Sequence, residues 1–313
     1  MRICSLLPSA TEILFALGCG DLLVAVTHEC DYPAGACRLP KVTRSNIPAG
    51  ISSDQIDSAV TSSLQTSGSL YELDLPLLEH LQPDLIITQR LCDVCAISSD
   101  RVEQAVSDLK SQPEVLNLEP HSLEDILRSI RTVADEIGRP HAADHLIESL
   151  QRRIEAVWQT SSDLTNRPRV FCMEWVSPPF CGGHWMKELV EIAGGVDDLS
   201  NLHQPSRRIE WTEVLRFAPE VIVLTCCGFN LGRCVEEGLS LSRLDHFFEM
   251  PAAKSGRVFA TDGSAYFSRP GPRIVDSLEI LAYLIHPEVF RAPPLSEAFC
   301  VLHPSPAEKI GPN

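Results

Sequence analysis

The sequence predicts an α/β protein of two similar lobes joined by one long helix. Three observations carry this reading. Short apolar runs alternate with amphipathic stretches along most of the chain, whereas residues 140–163 are amphipathic with no strand among them. A Pro-acid lead-in to a buried strand occurs twice, as Leu81-Gln82-Pro83-Asp84 and as Phe217-Ala218-Pro219-Glu220. Strands that are apolar throughout and separated by helices belong to parallel sheets covered on both faces. The length agrees, since a chain of 313 residues usually divides into two domains of about 150 residues each.

The elements follow in order. Residues 2–7 read as a strand ended by Pro8-Ser9. Ser9 with Glu12 three residues on is a capping box for a helix to about residue 17, stopped by Gly18 and Gly20. Residues 22–27 read as a second buried strand, and 28–50 as a polar loop rich in Pro, Gly and Cys. Strands are expected over 85–88 and 115–118, with a helix over 99–110 between them. Residues 122–137 form a helix closed by Gly138-Arg139-Pro140. Beyond it Ala143, Ile147, Leu150, Ile154 and Val157 step by three and four, which predicts a helix about 36 Å long. The second half reads as strands over 169–174, 220–225 and 257–260, with helices over 186–193, 211–217 and 272–285. Residues 291–313 are Pro-rich and expected to be poorly ordered. The domains are therefore an N-terminal α/β lobe (1–139), a connector (140–163), a C-terminal α/β lobe (164–290) and a tail (291–313).

Composition excludes several partners. The formal net charge is −16, which leaves no basic patch for nucleic acid or for anionic lipid. Hydrophobic residues make up 44% of the chain, too many for a disordered one. No apolar run is long enough for a membrane span. Arg2 and the apolar residues to Leu17 imitate a secretory signal, but Pro8 and Glu12 interrupt it. The expected location is cytoplasmic, or periplasmic if an export signal has been removed. Several of the twelve cysteines, such as Cys172 and Cys226-Cys227, sit in apolar runs. They read as small buried hydrophobes in a reducing compartment.

Ligands of parallel α/β sheets bind beyond the carboxyl ends of the strands. The candidate ligand-binding residues there are Ser9, Glu29, Tyr32, Gln89, Phe180, Trp211, Tyr266 and Phe267. Trp175, Trp185 and Trp211 all fall in the second half. Aromatics at loop edges suit a large, flat, partly apolar ligand, although each Trp serves equally well as cover for a helix start. Cys92 and Cys95 follow one strand, and His28 and Cys30 follow its neighbour. Together they are a candidate tetrahedral zinc set. The C-x-x-C alone also reads as a redox pair, or as a chance spacing in a Cys-rich chain. No phosphate loop, dinucleotide fingerprint or nucleophile elbow is present.

Ser5-Leu6-Leu7-Pro8-Ser9-Ala10-Thr11-Glu12, followed by Val26-Thr27-His28-Glu29-Cys30-Asp31-Tyr32-Pro33, resembles the opening of the helical-backbone (class III) periplasmic binding proteins. These are the substrate-binding components of ABC importers for cobalamin, ferric siderophores and haem. Ser177-Pro178-Pro179-Phe180-Cys181-Gly182-Gly183 and Ser268-Arg269-Pro270-Gly271-Pro272-Arg273-Ile274 are similar to second-lobe motifs of the cobalamin-binding branch. The resemblance runs in order over residues 2–286. It implies two Rossmann-like lobes joined by a single long connector helix, with the ligand in the cleft between them. It places Glu29, Gln89, Phe180 and Tyr266-Phe267 near a corrinoid. The cobalamin-binding branch has aromatic residues where Glu29 and Gln89 stand, and a Trp where Leu70 stands. Members without an export signal look like cytoplasmic cobalamin-binding proteins.

The resemblance implies a binding protein and not an enzyme. Its ligand would be cobalamin or a related corrinoid, and its partner an ABC permease. His28, Cys30, Cys92 or Cys95 would supply an axial ligand to cobalt, or hold zinc. Two alternatives stand beside it: a metal- or thiol-dependent enzyme or metal-handling protein built on the same cluster, and a ferric-siderophore or haem binder.

Overall fold

The structure, a computed structural model, describes residues 1–48, 50–66, 70–89, 99–107, 109–290, 295 and 297–304. The chain divides into two units, Met1–Gln151 with Pro270–Pro272, and Arg152–Arg269 with Arg273–Asn313.

The first unit runs β1 (Ile3–Ser5), α1 (Pro8–Ala16), β2 (Leu23–Val26), β3 (Thr43–Ser45), α2 (Ser53–Thr66), β4 (Tyr71–Leu73), α3 (Leu75–Leu81), β5 (Leu85–Gln89), α4 (Ser99–Ser107), β6 (Glu114–Leu118) and α5 (Leu123–Glu136). Four strands form a parallel sheet in the order β2-β1-β5-β6. β1 and β5 are buried throughout, as strands covered on both faces must be. Cys4, Leu6, Ala25, Leu78, Ile86 and Val102 form the core beside them.

Two local expectations are corrected. The capping box at Ser9 is not made. Pro8 stands in the first turn of α1, and Ser9 and Glu12 are buried within the helix. Proline's fixed φ and missing N–H suit it to open a helix. The box forms instead at α5, where Ser122 Oγ accepts from Asp125 N and Asp125 Oδ2 accepts from Ser122 N, both at 3.1 Å. The region read as polar loop contains β3, which pairs antiparallel with β4. Thr43-Arg44-Ser45 has no apolar alternation to announce a strand. Its ladder is supported by the Arg44–Glu72 ion pair.

Helix α6 (Pro140–Ser162) follows, and the unit boundary falls inside it. Its first half is tied to α5: Arg131 pairs with Asp144 and donates to the Pro140 carbonyl at 2.9 Å.

The second unit runs β7 (Val170–Trp175), β8 (Phe180–Cys181), α7 (Met186–Ile192), α8 (Trp211–Phe217), β9 (Val221–Leu224), α9 (Leu231–Leu239), α10 (Pro251–Lys254), β10 (Val258–Thr261), α11 (Ile274–Ile285) and β11 (Phe299–Val301). The sheet order is β11-β10-β9-β7-β8, parallel at its centre with an antiparallel strand at each edge. Its core gathers Phe171, Met173, Ile222, Leu224, Phe247 and Val258. The second half of α6 is held here, by Arg153 to Glu279 (2.8 Å) and Asp276 (2.5 Å) on α11. Ser161 Oγ also donates to the Ile192 carbonyl at 2.5 Å. The expectation of a poorly ordered tail is corrected for residues 299–301. They supply β11, because the free edge of β10 offers backbone groups that need partners.

The repeated Pro-acid lead-in has a shared structural basis. Gln82 and Ala218 both end their helices at positive φ, 43° and 51°. Asp84 and Glu220 then accept the backbone N–H of Arg2 (2.7 Å) and of Arg169 (3.0 Å), the residues that open β1 and β7. Each arginine returns its side chain to a carbonyl at the helix end. Arg2 Nε donates to Leu81 and Arg169 Nε to Ala218, both at 2.9 Å.

Candidate functional site

At the carboxyl edge of the first sheet the side chains are short and polar. Thr27 follows β2, and its hydroxyl lies 2.7 Å from that of Thr43. His28 Nδ1 lies 2.8 Å from the same Thr43 oxygen, so β3 fixes the imidazole. Glu29 Oε1 stands 3.2 Å from His28 Nε2, but Nε2 is buried with no aligned hydrogen-bond partner among the described residues. Tyr71 packs against the ring at 5.6 Å between centroids. Ser9 and Gln89 are buried at this edge, and Tyr32 is exposed. Thr88 Oγ1, at the end of β5, is buried with no hydrogen-bond partner among the described residues.

At the carboxyl edge of the second sheet the side chains are aromatic. Trp175 ends β7 and packs on Phe229 at 4.9 Å between centroids. Arg233, in the first turn of α9, lays its guanidinium 5.1 Å from the centre of the Phe229 ring. Phe180 is half-buried on β8. Beyond β10 the chain makes one π turn, Gly263–Phe267, closed by Ser268 N to Gly263 O at 2.9 Å and capped by Asp262. Such turns recur at functional sites. Gly263 is obligatory, because a Cβ there would lie 2.3 Å from the Cys226 carbonyl oxygen. The turn presents Tyr266, with Arg273 5.4 Å from its ring centre.

Two of the sequence candidates are taken up by packing. Trp211 is given to packing: its indole N–H donates to the Asp245 carbonyl at 2.8 Å, and its ring rests on the core. Phe267 is buried, at 3% exposure. Phe229, Arg233 and Thr43 were not among the candidates. Asn230, which caps α9 through Arg233 N at 2.9 Å, was the available signal for a helix start beside Phe229. Thr43 had none.

The zinc set is not supported. Cys92 and Cys95 lie outside the described residues. Cys30 Sγ is turned inward to Thr11 Oγ1 at 3.1 Å, whereas His28 faces Thr43. Among the described residues no three His, Cys, Asp or Glu side chains are placed to hold a metal. No helix among them is long and apolar enough to cross a membrane.

A family model described as periplasmic binding protein matches residues 3–265. The chain is 22% identical over 295 residues to the uncharacterized ABC transporter substrate-binding lipoprotein YvrC of Bacillus subtilis, covering 93% of this chain and 81% of that one. It is 24% identical over 288 residues to the vitamin B12-binding protein of Vibrio cholerae, covering 90% and 88%. The structure is similar to that of the periplasmic heme-binding protein RhuT from Roseiflexus sp. RS-1. The TM-score is 0.68 at 22% identity, covering 92% of this chain and 98% of that one. The expected cytoplasmic location is corrected by these findings, because proteins described as periplasmic or as lipoproteins act outside the cytoplasm. The enzyme alternative gives way as well, since the relatives are named for binding. With the family model spanning most of its length, the chain belongs to the periplasmic binding protein family, two-lobed α/β proteins that capture a ligand for transport.

Proposed function

We propose that this protein captures cobalamin or a related corrinoid for an ABC permease. One observation carries the reading: similarity to vitamin B12-binding proteins that runs through 90% of the chain. The two carboxyl edges support it in kind. Phe180, Trp175, Phe229 and Tyr266 offer flat apolar faces for a macrocycle. Glu29, Gln89 and Tyr32 offer polar partners for amide substituents. Ser9 lies at the same edge as these three. His28 is the described residue suited to a cobalt axial position, through Nε2 once Glu29 moves aside.

Haem is the second reading, favoured by the fold shared with RhuT. Absorption titration separates the two. The purified protein is titrated with cyanocobalamin and, separately, with haemin. Saturable spectral change with the corrinoid at much lower concentration than with haemin is expected. The reverse order sinks the corrinoid assignment and leaves the haem reading standing.

A further inference from the structure

Two threonine hydroxyls and one imidazole stand in line at the carboxyl edge of the first sheet. Thr43 Oγ1 accepts the backbone N–H of His28 at 3.0 Å. It also lies 2.7 Å from Thr27 Oγ1 and 2.8 Å from His28 Nδ1. A hydroxyl has one hydrogen and two lone pairs, and the His28 N–H takes one of those pairs. The remaining hydrogen and lone pair of Thr43 serve Thr27 and Nδ1, one each. Two arrangements satisfy this. In the first, Thr27 donates to Thr43 and Thr43 donates to Nδ1, so the neutral ring carries its hydrogen on Nε2. In the second, Nδ1–H donates to Thr43 and Thr43 donates to Thr27, so Nε2 holds a lone pair. The ring keeps its place in both. Thr27 and Thr43 are buried, which keeps water from taking either role. Beside Nε2 stands the Glu29 carboxylate, on a side chain that is 43% exposed.

We propose that Thr43 is a positioning residue for His28, and that the pair selects corrinoids whose axial site is exchangeable. This rests on the corrinoid reading above and adds what the first edge asks of the cobalt. Glu29 swings from Nε2 into solvent, and the Nε2 lone pair displaces water from an aquo Co(III) corrinoid. The cobalt–oxygen bond breaks, the cobalt–nitrogen bond forms, the water leaves and cobalt keeps its oxidation state. The ring hydrogen stands on Nδ1, held by Thr43, so the protein gives up no proton. Imidazole suits transition metals, and a hydrogen bond at the other ring nitrogen fixes the tautomer and the orientation of a metal-bound histidine. The threonine pair supplies that bond in whichever tautomer the free ring adopts. A cyano corrinoid, whose cobalt–carbon bond does not yield to imidazole, gains nothing from His28.

The test titrates the full chain with aquocobalamin and, separately, with cyanocobalamin, and follows the absorption of the corrinoid. Aquocobalamin mixed with free imidazole supplies the reference spectrum. Tighter binding of aquocobalamin, with its bands shifted to that reference, is expected, and no such shift with cyanocobalamin. His28→Ala should abolish the shift. Thr43→Val should lower the preference for aquocobalamin over cyanocobalamin by about tenfold, the scale of losing a group that orients a metal-bound imidazole. Thr43→Ser, which keeps the hydroxyl, should restore it. The ratio of the two affinities within one variant is the readout, because a merely structural defect weakens both corrinoids alike. Circular dichroism checks that each variant is folded. Equal binding of the two corrinoids with no shift overturns the proposal and leaves the corrinoid reading standing. A shift that survives His28→Ala, or a preference untouched by Thr43→Val, also overturns it. Binding of neither corrinoid sinks the corrinoid reading and this proposal with it.

Discussion

Both units lay a helix end, a left-handed residue, a proline and an acid against the arginine that opens a central strand. They part company at the next step. After β1 the first unit enters α1 at once and reaches a parallel neighbour, β2. After β7 the second unit turns straight back into an antiparallel neighbour, β8. The helix start leaves a small, hydroxyl-lined lip in the first unit, with Ser9 buried in it. The turn leaves a long lip, on which Trp175 and Phe180 stand, in the second. One frame thus presents two surfaces, one suited to hydrogen bonding and one to stacking. The difference lies in how each strand exits, not in the sheet.

The largest expected effect tests whether the aromatics of the second unit are all alike. Trp211→Ala should cost about 3 kcal/mol of stability, the scale of a truncated aromatic in a core. Urea unfolding reads this, and corrinoid affinity of the folded variant should stay unchanged. Phe180→Ala should do the opposite. Its expected loss is about 1–3 kcal/mol of binding, or roughly 5- to 150-fold in Kd, if its ring stacks on the ligand. Gln89→Ala, from the polar lip, should weaken binding by no more than about 1 kcal/mol. A larger loss at Gln89 than at Phe180 would break the assignment of stacking to the second unit.

The frame was legible in the sequence because it is written in periodicity and punctuation. Buried strands such as Leu85-Ile86-Ile87 and the stepped apolar positions of α6 need no tertiary context. The Pro-acid echo announced the repeat, though not its arginine. β3 was invisible because a polar ribbon draws its stability from cross-strand partners such as Glu72, which sequence does not place. β11 was hidden by the prolines before it. Of the site, the edges were legible and the occupants less so. Trp211 and Phe180 look the same as letters, and only the hydrogen bond to Asp245 tells packing from presentation. The Cys92-x-x-Cys95 spacing suggested zinc, but spacing cannot say where Cys30 points.

A matched pair of substitutions sharpens the frame itself. Arg2→Ala and Arg169→Ala each remove a guanidinium from the carbonyl end of a helix. Each should cost about 1 kcal/mol. The two should agree within about 0.5 kcal/mol, and their double variant should be additive because the sites share no partner. Denaturant midpoints at constant slope check this. A strongly unequal pair would mean that the likeness of the two motifs is one of shape only.

The smallest expected effect sets one acid in each unit against the other. Burial opposes ionisation of Asp125, but the Ser122 hydroxyl, the N–H groups of His121 and Ser122 and the Arg128 guanidinium outweigh it. They hold the carboxyl below the usual range. Burial pushes Asp197 above that range, offset only in part by N–H bonds from Leu199 and Ser200, both at 3.0 Å. The Ser200 hydroxyl lies beside it, yet neither Asp197 Oδ2 nor Ser200 Oγ has an aligned partner among the described residues. The signs are therefore opposite. The contribution of Asp125 is present above the unfolded carboxylate pKa and is lost as pH falls through its lower folded value. The contribution of Asp197 is present below the unfolded pKa and is lost as pH rises through its higher folded value. Asp197→Asn keeps an oxygen for the two N–H groups and removes the charge. It should gain stability at neutral pH, where the wild-type carboxylate must ionise against the cost of burial, and nothing in acid. Asp125→Asn should lose stability at neutral pH and converge on the wild type in acid. Urea midpoints from pH 3 upward, on the order of one per half unit, would show the two variants diverging from the wild type in opposite directions. Divergence in the same direction would mean that the Asp197 carboxylate is paired in solution, and that the second unit carries no buried acid at that position.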